Sequence, residues 1–369
     1  MTAPAARAAA TREWGHYKTI ELFFPVSDFR AYVVVDNVAL GPAIGGVRVA
    51  PDVTLDEVKR LARTMTLKNS IAGLPHGGAK AGIIMDPRSP RKEHCFRIFA
   101  RAIEDLREYI PGPDLGSNEA CMAWIHDETG RASGLPEEIG GLPLDRLGAT
   151  GFGLAACAEV ACIHLRMNLN GAKVAIEGFG SVGRMAARFL SERGAVIVAV
   201  SDTKGTVADP FGIDITRLME VKDATGSVVS YKPAAVKEVN ALFAEQCDIL
   251  IPAARPDVIN SSNVDLIKAK LILQGANIPA TREAEDILHK RGTLSVPDFI
   301  ANAGGVIMAA MEYAGKTEQE AFAAIAERIK KNTRLILERA SRENVPPRDA
   351  AEAIAGERVR TAMAYRRIS

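Results

Sequence analysis

Residues 174–183 read Val174-Ala175-Ile176-Glu177-Gly178-Phe179-Gly180-Ser181-Val182-Gly183. The first four form a short apolar strand pattern, and the next six match G-x-G-x-x-G. A helical pattern, Arg184 to Glu192, follows, and then a second strand pattern, Val196–Ser201, that ends at Asp202. Alone the hexapeptide is a weak signal. In the order strand, glycine turn, helix, strand and acid it is the fingerprint of a dinucleotide-binding βαβ unit. Gly178 permits the tight turn, Gly180 lets backbone approach a pyrophosphate, and Gly183 lets helix and strand pack closely. Ser181 and Val182 open the helix, whose unpaired N–H groups face the phosphates. Asp202 is placed to hydrogen-bond ribose hydroxyls, which favours NAD. Ser201, Thr203 and Lys204 around it leave NADP open.

The alternation continues outward from this unit. Asp248–Pro252, Leu271–Gly275 and Leu294–Val296 are further short apolar runs separated by helical stretches. Strands and helices in alternation predict an α/β domain with a doubly wound, parallel sheet. Pro252-Ala253-Ala254, Gly275-Ala276-Asn277 and Ala301-Asn302-Ala303-Gly304-Gly305 each follow one of these strands, where such sheets bind ligands. Ala253, Ala254, Asn277 and Asn302 are therefore cofactor candidates, although a lone Asn also serves as a helix cap. From about Ala314 the pattern is two helices split at Asn344-Val345-Pro346-Pro347.

The upstream third has a different character. Gly73-Leu74-Pro75-His76-Gly77-Gly78-Ala79-Lys80-Ala81-Gly82 carries four glycines and one charge. It reads as a glycine-rich loop, followed by a strand at Ile83-Ile84-Met85. A lysine held among glycines is poorly hydrated, and desolvation lowers its pKa. Such an amine works as acid or base near neutrality. The competing reading is an ordinary surface turn. A second lysine, Lys68, ends a helix that opens at the Thr54-x-x-Glu57 capping box and turns Leu55, Val58, Leu61, Ala62 and Met65 to one face. Lys18–Phe24 and Arg30–Val35 read as two strands, and Lys92 to Tyr109 as a helix. Asp114 sits between Pro113 and Gly116, either as a reactive carboxylate or as a turn former.

The 369 residues suggest two domains. Apolar residues make up 47%, charged residues 25%, and the net charge is +1, a balance that points to neither nucleic acid nor an anionic membrane. No apolar run reaches the ~18 residues of a spanning helix. Five cysteines at irregular spacing imply neither a zinc site nor a disulfide framework, so no metal is expected and a reducing cytoplasm fits best. Met1 to Arg12 is Ala-rich and free of acids; it loosely resembles an organellar presequence and also suits a frayed tail or first helical turn.

From about Lys18 to its end the chain resembles the glutamate/leucine/phenylalanine/valine dehydrogenases. GPAIGG (41–46), Lys68, LPHGGAK (74–80), PDLG (113–116), ATGFG (149–153), GFGSVG (178–183) and PDFIANAGGV (297–306) carry the resemblance. It implies reversible oxidative deamination of an L-amino acid to its 2-oxo acid and ammonia, with NAD or NADP. It implies an N-terminal α/β substrate domain (1–145), a Rossmann-type nucleotide domain (146–330), final helices (331–369) that return to the first, and a homo-oligomer, hexameric or octameric. By motif, Lys80 and Asp114 correspond to the catalytic lysine and aspartate, and Lys68 to the lysine for the α-carboxylate. Gly46, Gly77 and Val306 fall at substrate positions and Thr150 at a cofactor position.

Two departures bear on the substrate. Glutamate-specific members carry a lysine at Ile44 and a serine at Ala309, both on the side-chain carboxylate. An unpaired carboxylate among apolar groups is costly, so the expected substrate is apolar, like leucine, valine or phenylalanine, with glutamate as the alternative. A sensor that binds NAD without turnover is a reading of another class. A hydroxyacid dehydrogenase needs a His–acid pair, and the six histidines show no such constellation.

Overall fold

The computed structural model describes residues 14–366; the Ala-rich Met1–Arg12 stretch lies outside the described residues. The chain forms two compact units. One comprises Met1–Leu144, Val306–Phe322 and Glu352–Ser369; the other comprises Asp145–Gly305 and Ala323–Ala351. This differs from the expected division at the C-terminal end. Val306–Phe322 joins the first unit, where Glu312 accepts N–H bonds from Gly134 (2.7 Å), Leu135 (3.0 Å) and Leu142 (2.8 Å). Residues 331–351 stay with the second, where buried Arg348 donates to both carboxylate oxygens of Glu285 at 2.8 Å. Only the segment from Glu352 belongs again to the first unit.

The first unit is built on a five-stranded sheet of β1 (Lys18–Phe24), β2 (Phe29–Asn37), β3 (Ala43–Ala50), β4 (Gly77–Ile84) and β5 (Tyr109–Pro113), ordered β1-β2-β4-β3-β5. β1, β2 and β4 pair antiparallel, while β3 runs parallel to β4 and β5. Residues 73–76 form a turn, and from Gly77 onward the expected glycine-rich loop is thus strand. Its glycines serve packing: a Cβ on Gly78 would lie 2.0 Å from the Thr66 nitrogen, so only glycine lets helix α1 (Leu55–Ile71) rest directly on the sheet. The buried line of α1 is Val58, Ala62, Thr66 and Asn69, with Leu61 and Met65 only half-buried. The Thr54 cap forms, its hydroxyl accepting the Glu57 N–H at 3.3 Å. At the other end Arg358 caps α1 by donating to the carbonyls of Ser70 and Ile71, each at 3.0 Å.

The opposite face of the sheet packs Val33, Val47, Ala81 and Ile83 against Phe96, Phe99, Met122 and Ile125 of α2 (Lys92–Ala102) and α3 (Glu119–Thr129). Each fully buried aliphatic or aromatic side chain there contributes roughly 1.5–3 kcal/mol. α2 ends seven residues before the expected Tyr109, which instead opens β5.

The second unit holds a seven-stranded sheet, β12-β11-β10-β6-β7-β8-β9. β6 (Lys173–Glu177), β7 (Val196–Asp202), β10 (Ile249–Pro252), β11 (Leu271–Leu273) and β12 (Leu294–Val296) are parallel, as expected. Unforeseen are β8 (Gly205–Ala208) and β9 (Ala235–Lys237), which extend one edge antiparallel. Helices α4 (Ala149–His164) and α5 (Ser181–Ser191) pack together through Phe152 and Phe189, ring centroids 5.3 Å apart. Leu144–His164 is, against expectation, long and apolar enough to cross a membrane; 67% of its apolar window is buried, as in a core helix.

Candidate active site

Lys80 lies in β4 with only 5% of its surface exposed. Its ammonium meets Asp114 Oδ1 at 2.9 Å. The second carboxylate oxygen accepts from Arg48 Nε, also at 2.9 Å, and Arg48 reaches on to Glu57. Gly46 faces this group from β3: a Cβ there would come within 2.7 Å of Asp114 Cβ and 3.3 Å of Lys80 Nζ. Asp114 is a turn residue as well, but through its backbone. Its N–H donates to Ser117 Oγ at 2.9 Å, and the Ser117 N–H donates to its carbonyl at 3.0 Å. The carboxylate is left for the two cations. Burial pushes the Lys80 amine below its ordinary value, against the pull of Asp114, and Arg48 adds to the lowering. Burial works to raise the Asp114 carboxyl, but Lys80 and Arg48 outweigh it and hold the group below the usual carboxylate range. A depressed amine beside a carboxylate can trade protons near neutrality.

The first unit also holds several of the other expected residues. Asn69, the neighbour of half-buried Lys68, donates to the carbonyls of Gly77 (2.6 Å) and Ile44 (3.4 Å) and so joins α1 to both strands. Ile44 pairs with Gly78 in register and is buried. Ala309, buried, and Val306, half-buried, lie on helix α6 (Gly304–Tyr313), which the Glu312 bonds fix to the 134–142 loop. Tyr313, one turn beyond Ala309, stands edge-on to His76 with ring centroids 6.2 Å apart.

In the second unit the glycine turn closes as the motif requires. Gly178 has φ +91°, and a Cβ on it would strike Ala254 at 2.7 Å; Gly180 has open space around it and precedes Ser181, the first residue of α5. Among the described residues no side chain caps that N-terminus, so its N–H groups suit a pyrophosphate. Ala253 and Ala254 follow β10 and are held by N–H bonds to Glu177 O (2.7 Å) and Oε2 (3.1 Å). Asn302 donates to Asn277 Oδ1 at 3.1 Å and to the carbonyls of Gly275 and Ala276 at 3.3 Å, which gathers the two candidate asparagines at one end of the sheet. Thr150 is half-buried in the first turn of α4. Asp202 differs from expectation: its carboxylate is bound to Lys222, Ser227 and backbone N–H groups of its own unit. Sequence reading missed Arg48. The signal was its spacing: on a strand, residues 44, 46 and 48 share a face, but GPAIGG did not read as a strand.

The model of the Glu/Leu/Phe/Val dehydrogenase dimerisation domain matches residues 23–131, and that of Glutamate/Leucine/Phenylalanine/Valine dehydrogenase matches residues 140–367. The chain belongs to this family. It is an amino-acid dehydrogenase, an oxidoreductase acting on CH–NH2 donors with NAD or NADP. Among relatives of the family, glutamate dehydrogenase of Aeropyrum pernix is 41% identical over 366 residues, covering 92% of this chain and 87% of the relative. The NADP-specific glutamate dehydrogenase of Saccharolobus shibatae is 42% identical over 79% of this chain and 74% of its own. The NAD-specific enzyme of Staphylococcus aureus is 37% identical over 92% and 87%. Of solved structures, the Leu-bound hetero-hexameric glutamate dehydrogenase of Thermus thermophilus superposes with TM-score 0.83 at 30% identity, covering 95% of this chain and 89% of that one. The L-tryptophan dehydrogenase of Nostoc punctiforme gives 0.76 at 27%, covering 96% and 99%.

Proposed function

We propose that Lys80 and Asp114 are the acid–base pair for oxidative deamination of an L-amino acid, with Lys68 holding its α-carboxylate. The 2.9 Å contact between a buried amine of lowered pKa and a carboxylate carries this reading. A bound nicotinamide would supply the acceptor for the hydride leaving Cα. Neutral Lys80 takes a proton from the water that adds to the resulting iminium carbon and then stabilises the oxyanion as nitrogen leaves. Ionised Asp114 takes a proton from the substrate's α-ammonium before the hydride leaves and returns it to the departing amine, and the products are the 2-oxo acid and ammonia. Arg48 keeps Asp114 ionised for that task.

The names of the relatives favour glutamate as the substrate, and they outweigh the two residues that led to an apolar expectation. The apolar reading keeps one specific observation: Ile44 and Ala309 are both buried and bring no charge. If glutamate is the substrate, another cation must meet its distal carboxylate. Kinetics with glutamate, leucine, valine and phenylalanine, each with both coenzymes, decides between them. Glutamate leading by kcat/KM supports the first reading, and leucine or valine leading supports the second. The dimerisation-domain match favours a homo-oligomer here, and the hetero-hexameric Thermus relative favours assembly of more than two subunits. A reducing cytoplasm is the expected compartment, in keeping with five free cysteines.

A further inference from the structure

β2 carries an irregularity beside Lys80. It pairs with β4 as Val34 with Lys80, Val35 with Ala79 and Asn37 with Gly78, so Asp36 is the extra residue of a β-bulge. The Asp36 side chain is fully buried. Arg63 Nε donates to both of its oxygens at 2.9 Å, the Thr66 hydroxyl donates to Oδ2 at 2.6 Å, and His16 Nδ1 lies 2.7 Å from Oδ1. Arg63 also donates to the Trp14 carbonyl at 2.7 Å and lies over the Trp14 ring, 4.7 Å from its centroid. The acid–base chemistry of Lys80 and Asp114 makes no use of this cluster. A buried ion pair gives back in desolvation much of what it gains in attraction, so it adds little stability and is better suited to fixing a register.

The register it can fix is that of α1 on β4. Arg63 and Thr66 both lie on α1. Thr66 is the residue that Gly78 packs against: a Cβ on Gly78 would stand 2.5 Å from the Thr66 hydroxyl oxygen. Three residues on, Asn69 donates to the Gly77 carbonyl at 2.6 Å. Lys68 sits between these two anchors, and Lys80 follows Gly78 by two residues, on the same face of β4.

We propose that Asp36 is a positioning residue for the deamination. By holding Thr66 and Arg63 it sets the height and rotation of α1 on the sheet, and so sets Lys68 to meet the α-carboxylate of a substrate that stands at Lys80. This role presupposes that Lys68 holds that carboxylate, and Lys68→Ala tests that part by itself.

Steady-state kinetics are to be measured for the full-length parent, Thr66→Val, Thr66→Ser, Asp36→Asn and Lys68→Ala, with thermal melts of all five. Coenzyme is kept saturating, and the varied substrate is whichever of glutamate and leucine the parent turns over faster. Thr66→Val keeps the shape and removes the hydroxyl. It is expected to raise the amino-acid KM about tenfold or more, the scale of weakening one hydrogen bond to a charged group, with kcat nearly unchanged, because the α-carboxylate contact is made alike in ground and transition states. Thr66→Ser keeps the hydroxyl and is expected to melt lower while holding the parent's KM. Asp36→Asn leaves one acceptor oxygen where there were two, and its KM is expected to rise as well; should it fail to fold, the two Thr66 variants decide the matter. A role confined to stability would lower the melts and leave KM of the folded enzyme alone. A raised KM in Lys68→Ala beside an unchanged KM in Thr66→Val, or a Thr66→Ser protein with KM raised as far as in Thr66→Val, overturns the positioning role alone. An unchanged KM in Lys68→Ala overturns the carboxylate assignment and this role with it.

Discussion

Arg48 lies against the carboxylate that Lys80 faces, and it acts on both groups. It draws the Asp114 carboxyl down and adds to the lowering of the Lys80 amine. The sign of its removal follows. With Arg48→Met the Lys80 pKa rises, so the amine becomes neutral only at higher pH. If neutral Lys80 is the base, the acid limb of kcat/KM for deamination moves to higher pH in this variant, and a pH profile of both proteins reads the shift. A limb that stays in place means that Lys80 does not set it. Asp114→Asn removes a proton acceptor and also one pull that raises Lys80. It is expected to abolish deamination with the fold intact by circular dichroism. Were Asp114 only a turn former, its backbone bonds to Ser117 would persist in the Asn variant and turnover would be kept.

At the level of elements, α1 and β4 fit because Gly78 has no side chain. Gly78→Ala forces a methyl against the Thr66 backbone. Overpacking of this kind costs about 1–3 kcal/mol, and the denaturant midpoint is expected to fall accordingly; an unchanged midpoint would show that α1 can lift off the sheet freely. The same packing explains why β4 was hidden in the sequence. Glycines give a strand no alternating pattern, and both of its faces are covered. The end of α2 was hidden for another reason. Arg131, far along the chain, donates to the carbonyls of Ile103 (2.8 Å) and Glu104 (3.0 Å) and terminates the helix by a contact that no local pattern shows. The parallel strands were legible because each is a short apolar run between turn residues. Ile44 on β3 and Ala309 on α6 supply a further test. Ile44→Lys with Ala309→Ser is expected to raise the glutamate-to-leucine ratio of kcat/KM about tenfold or more. No change would remove both residues from the side-chain pocket.

In the whole molecule, the glycine turn and the two lysines announced two kinds of chemistry in two parts of the chain, while the route of the C-terminal third stayed illegible. That route is set by buried charges meeting distant partners: Glu312 with the 134–142 loop, Arg348 with Glu285 and, at 2.9 Å, Asp298. Asp202 escaped the sequence reading in the same way, because its place at a strand end was visible and its four partners were not. Light scattering on the purified chain is expected to give a single species heavier than the monomer, and a monomeric peak would contradict the assembly inferred from its relatives. The catalytic assignment meets its most direct test in amino-acid-dependent coenzyme reduction by the parent and by Lys80→Ala, each saturated with coenzyme. Lys80 and the dinucleotide turn belong to separate units, so coenzyme affinity should be nearly equal in the two proteins. Turnover should fall by at least ~10²-fold, the scale of losing an acid–base group; a Lys80→Ala protein that deaminates at the parent's rate would contradict the assignment.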